Sequence, residues 1–107
     1  MGNIYQEIGV TEQLYQSDPC RTAKIIAEYF GWKFVHVYTN PAVVIFRNRE
    51  TRFNFYYDIK KVKTDMNHPK RGKTELFRTN VDLITLINLF LNPRAHTGKG
   101  FYKRASI

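Results

Sequence analysis

The chain has 107 residues, of which 43% are hydrophobic and 15% aromatic, and its 17 Lys/Arg against 9 Asp/Glu give a formal net charge of +8. Aromatic content this high excludes a disordered polyelectrolyte. A sole cysteine, Cys20, excludes an internal disulfide framework and fits a reducing compartment.

Residues 1–16 carry Ile4, Ile8, Val10 and Leu14 at a spacing that suits a short turn or helical piece. They lack the basic start and apolar run of a secretory leader. Asp18-Pro19 reads as a helix start: Asp caps free N–H groups and Pro loses nothing at the first helical position. Ala23, Ile26, Ala27 and Phe30 follow at helical spacing, and Gly31 stands where a left-handed terminal residue is wanted. Residues 32–38 are aromatic and β-branched and read as a strand, broken by Asn40-Pro41. Residues 42–47 include Val43, Val44, Ile45 and Phe46, apolar on both faces, as in a central strand. After a turn at 48–50 the pattern alternates, with Phe53, Phe55, Tyr57 and Ile59 on one face and Asn54, Tyr56, Asp58 and Lys60 on the other. This predicts a third strand over 51–60, prolonged through Lys61-Val62-Lys63. Residues 65–72 read as a loop, and 74–78 as a fourth strand. Asn80 is the expected cap of a last helix bearing Leu83, Ile84, Leu86, Ile87, Phe90 and Leu91, ended by Asn92-Pro93. Residues 94–107 form a basic C-terminal tail, folded back on the core through Phe101 and Tyr102 in one reading.

The predicted fold is α+β, a single domain over 1–107. It is a two-layer sandwich in which an antiparallel meander of three to four strands carries two helices on one face, in the order α-β-β-β-(β)-α. The longest apolar stretch, around 81–91, is interrupted by Asp82, Thr85 and Asn88 and is too short to span a bilayer. The expectation is a soluble intracellular protein, cytoplasmic or nuclear/nucleoid, with no membrane partner.

Positive charge is concentrated. Residues 59–78 hold seven Lys/Arg against two acids, residues 94–107 hold four against none, and the first thirty residues are net acidic. Single-sign segments repel themselves, and such clustering is the footprint of a polyanion binder. In this reading Lys70, Arg71 and Lys73 sit at a hairpin tip, and Lys60, Lys61 and Lys63 lie on the strand leading to it. Arg94, Lys99, Lys103 and Arg104 form a second cluster. His68, His96, Phe101 and Tyr102 are candidates for contact with phosphate, sugar or base, since aromatics between cations can stack on unpaired bases. His36, Tyr38 and Tyr56 fall on the sheet face away from the helices, where packing between the rings competes with a stacking role. The leading expectation is a small non-enzymatic domain that binds DNA or RNA, needs no cofactor, and contacts phosphates through the hairpin tip and tail.

Three resemblances bear on this. Arg71-Gly72-Lys73-Thr74 resembles the end of a phosphate-binding P-loop, but Asn67 stands where that motif has Gly, and a strand follows where it has a helix. The element order is similar to that of the double-stranded-RNA-binding domain, whose second helix opens on a basic cluster; Asn80-Val81-Asp82 stands there instead. Asp58-Ile59-Lys60 on a third strand resembles the acid-x-Lys element of the PD-(D/E)xK nucleases, with Glu28 as an auxiliary acid and Glu50 in place of the missing strand-two acid. That resemblance implies Mg-dependent phosphodiester cleavage at Asp58 and Lys60. His68 and His96 offer a metal-free route to the same end. The third reading is a protein-interaction or inhibitor module whose basic surface meets an acidic protein.

Overall fold

In the computed structural model of the chain, residues 3–68 and 72–93 are described, the side chains of Asn67 and His68 excepted. The N-terminal segment forms two short helices, each started by a polar cap. Asn3 accepts from the Tyr5 N–H to begin α1 (Ile4–Ile8), and Thr11 accepts from the Leu14 N–H to begin α2 (Glu12–Ser17). Asp18 caps α3 (Pro19–Tyr29) as expected, accepting from the Arg21 N–H at 3.0 Å, and Gly31 takes the left-handed φ of +84°.

Five strands follow: β1 (Lys33–Thr39), β2 (Ala42–Asn48), β3 (Thr51–Tyr56), β4 (Lys61–His68) and β5 (Gly72–Arg78). They form one antiparallel sheet in the order β1-β2-β3-β4-β5. The α+β class and the meander are those expected. Two strand boundaries are not. The expected third strand over 51–60 is cut by a turn at 57–60, in which Lys60 has a φ of +55°. That turn contains no Gly or Pro, so the alternation runs through it unbroken. The expected loop over 65–72 is strand on both sides of the hairpin, with Asn67 paired to Lys73 and His68 to Gly72.

The last helix, α4 (Leu83–Leu91), is capped by Asp82, not Asn80. Asp82 accepts from the Thr85 N–H at 3.0 Å, and hydrogen bonding with Thr85 holds its carboxyl below the usual range. Asn80 instead adopts a φ of +53°, a conformation Asn tolerates better than most residues.

Successive strand residues point to opposite faces. Val44, Phe46, Phe53, Phe55 and Val62 share one face and join a buried cluster with Ile8, Tyr15, Ile26, Leu83, Leu86 and Phe90 from the four helices. Trp32 closes that cluster and donates its indole N–H to the Phe90 carbonyl at 3.0 Å. Among the described residues no helix is long and apolar enough to cross a membrane.

Tyr15 ties the approach to α4. Its buried hydroxyl donates to the Val81 carbonyl at 2.5 Å, while the Val81 N–H donates to the Lys60 carbonyl at 3.0 Å. Tyr15→Phe is expected to lower unfolding free energy by about 1–3 kcal/mol, measured in urea, because a buried carbonyl loses a partner. Burial, then the Asp82 and Glu12 carboxylates, raises the phenol well above the ordinary tyrosine value. The native state therefore keeps this proton longer than the unfolded chain does. The stability it contributes is whole below pH about 10 and is lost as pH rises beyond that. The same Phe variant should show a shallower alkaline decline.

Candidate nucleic-acid interface

The second face of the sheet carries the residues that alternate with the buried cluster. Register places them in rows across the strands. Lys33 pairs with Arg47, Arg47 with Arg52, Arg52 with Asp65, and Asp65 with Glu75. The next row toward the other end holds His36, Ile45, Asn54, Lys63 and Phe77. Beyond it lie Tyr38 and Val43 on β1–β2, and Tyr56 and Lys61 on β3–β4. Lys73 extends the face toward the β4–β5 hairpin tip.

Lys33, Arg47 and Arg52 form a line of three cations on adjacent strands, all exposed. Like charges directly opposite one another are destabilising. No acid lies within ion-pairing distance of these three among the described residues. The Arg47 Nε–H donates to the Arg49 carbonyl at 3.3 Å, which orients the guanidinium. Arg47, Arg52, Lys63 and Lys73 line a groove of about 370 Å³ together with Glu50, Asp65 and Glu75.

The other half of the face is aromatic and aliphatic. His36 and Tyr38 are exposed, with ring centroids 4.5 Å apart, and Tyr56 is half-buried. Val43 and Ile45 lie between them and stay outside the helix-side cluster, yet are only 6% and 4% exposed. The Tyr57 hydroxyl donates to the Tyr38 carbonyl at 3.0 Å, fixing the end of β1 beside this patch.

The residues singled out in the sequence fare unequally. Lys61, Lys63 and Lys73 reach the face, but Lys63 is engaged: its ammonium lies 3.7 Å from both Asp65 and Glu75. Asn54 donates from Nδ2 to Asp65 and to the Lys63 carbonyl, both at 2.9 Å, so that group of charges is held within the chain. Lys61 lies 5.1 Å from the Phe77 ring centroid. Lys60 is not on a strand and does not join this surface; its ammonium sits 5.0 Å from the ring centroid of Tyr15. His68 is placed only as the β4 residue opposite Gly72. Lys70, Arg71, Arg94, His96, Lys99, Phe101, Tyr102, Lys103 and Arg104 lie outside the described residues.

Lys33, Arg47 and Arg52 were not singled out by the sequence reading. The signal was nonetheless present. A short turn at 49–50 forces Arg47 opposite Arg52, and alternation from the buried Phe46 and Phe53 sends both to the second face.

The acid-x-Lys element does not occupy a strand. Asp58 is exposed in the turn after β3, while Glu50 is in the turn before it, at the opposite end of a six-residue strand. Glu28 is exposed near the end of α3. Among the described residues no three or more His, Cys, Asp or Glu side chains converge as a metal site would need. Cys20 is half-buried in the first turn of α3, and burial raises its thiol pKa, the opposite of what an activated nucleophile needs.

Compared with protein-family models, curated proteins and solved structures, the chain matches none.

Proposed function

We propose that this chain is a small nucleic-acid-binding domain that engages its ligand with the second face of the sheet. The observation that carries the reading is the Lys33–Arg47–Arg52 line. Three opposed cations, exposed and with no acid within ion-pairing distance among the described residues, cost the free protein stability and suit a row of phosphates. Lys73 continues the positive surface on β5, and Lys70 and Arg71 precede it in the chain. The basic segment 94–107 adds charge of the same sign. Relative to the sequence expectation, the centre of the proposed surface moves from the tip and tail to the sheet itself.

The test is binding of mixed DNA and RNA over a series of salt concentrations. Neutralising about two to four phosphates, one or two at the cation line and the rest at Lys73 and the basic segments, predicts a log–log slope of about −1.4 to −3.6. Binding that ignores salt, or no binding to any nucleic acid at low salt, sinks the proposal. Retention of an acidic protein after nuclease treatment would then point to the protein-interaction reading instead.

A further inference from the structure

We infer that the ligand of this face is an unpaired strand of nucleic acid, laid with phosphates along Lys33, Arg47 and Arg52 and with bases toward His36, Tyr38 and Tyr56. The inference rests on the proposal above and sharpens it, because the two halves of the face differ in chemistry. Cations occupy one end of β1–β3 and rings the other. Along β2 the change from Arg47 to Ile45 and Val43 spans one to two alternate positions, about 7–14 Å. Across the strands the cation line spans about 10 Å, enough for one or two phosphates.

A duplex that stays B-form and unkinked makes little use of this division. To a flat sheet it presents sugars and phosphates, and its bases stay stacked in their own helix. Rings beside the cations would then touch nothing they can recognise. A single strand can turn its bases outward and rest them on aromatic faces, with little demand on sequence. Tyr38 is 47% exposed and tilted against His36, so a ring face at the sheet margin is open to such a base. Val43 and Ile45, themselves buried, pack between Tyr38 and Tyr56 and support the rings from the sheet. The alternative, that the rings serve only the packing of the sheet, gives them no part in discrimination between paired and unpaired strands.

The experiment is a gel shift with the full chain and a labelled strand of about 12 nucleotides, as DNA and as RNA, beside the duplex of the same sequence. Both single strands should bind at least about tenfold tighter than the duplex. Tyr38→Ala and Tyr56→Ala should each weaken single-strand binding by about 5- to 100-fold and leave the weaker duplex binding unchanged. Tyr38→Phe and Tyr56→Phe keep the ring and should keep the affinity, which separates lost stacking from lost folding. The DNA and RNA arms show whether one sugar is preferred. Duplex binding as tight as single-strand binding overturns this inference while leaving the proposed surface in place. So does an equal loss on both ligands in the Ala variants with the Phe variants intact. No shift with any probe at low salt removes the proposed function, and this inference with it.

Discussion

Phe90→Ala is expected to lower the unfolding free energy by about 3–5 kcal/mol, a large share of what a domain of this size possesses. Phe90 is 2% exposed and joins α4 to two rings of the sheet and to Trp32 just before β1. It stacks on Phe53 with centroids 4.0 Å apart and planes 10° from parallel. Phe46 and Trp32 meet it edge to face at 5.3 Å and 5.7 Å. Truncation removes the buried area and these ring contacts together, and the surrounding strands cannot close on the space without losing register. The measurement is urea unfolding followed by far-ultraviolet circular dichroism, with the midpoint falling and the slope unchanged. Ile84→Ala provides the control on the same helix. Ile84 is 40% exposed and absent from the buried cluster, so its loss should cost about 1 kcal/mol or less. Equal losses for the two variants would contradict the assignment of Phe90 as the anchor of α4.

Arg47→Gln with Arg52→Gln is expected to move binding and stability in opposite directions. Each Arg lost removes a charge-assisted contact with phosphate, worth about 1.5–3 kcal/mol, so affinity should fall by about 10- to 100-fold per residue. The salt slope should become shallower by about 0.7–0.9 per contact. In the free protein the same change relieves like charges that the register places face to face, which should raise the urea midpoint by an amount equivalent to about 0.2–1 kcal/mol. Weaker binding from a more stable protein separates the loss of a ligand contact from damage to the fold. Unchanged binding in this variant would leave the cation line without a role.

Much of the architecture was legible because periodicity and caps carry it. Asp18-Pro19, Gly31 and the apolar spacing from Ala23 to Ala27 located α3, and the β-branched run from Val43 to Phe46 located β2. Hairpin geometry was less legible. The break between β3 and β4 rests on Lys60 in a left-handed conformation, and lysine gives no turn signal. The extent of β4 and β5 was hidden for a related reason. Asp65 looks like a loop residue in sequence, yet on the sheet surface it shares the Lys63 ammonium with Glu75 of the next strand. That mutual engagement is a property of cross-strand pairing, which a linear count of charge does not record. The same blindness affected the candidate site. Counting along the chain drew attention to 59–78, whereas the exposed line of cations is assembled from β1, β2 and β3 by register.

The chain has a single tryptophan, and its indole is sealed between Phe53 and Phe90 with its N–H bound to a carbonyl. It belongs to the helix side of the sheet, opposite the surface that carries Tyr38, Arg47 and Arg52. Its emission therefore serves as an intrinsic gauge of the core: blue while the molecule is intact, red-shifted once water enters. Saturating the other surface should leave that colour almost unmoved, so an untagged sample can show in one titration whether a ligand has occupied the protein or undone it.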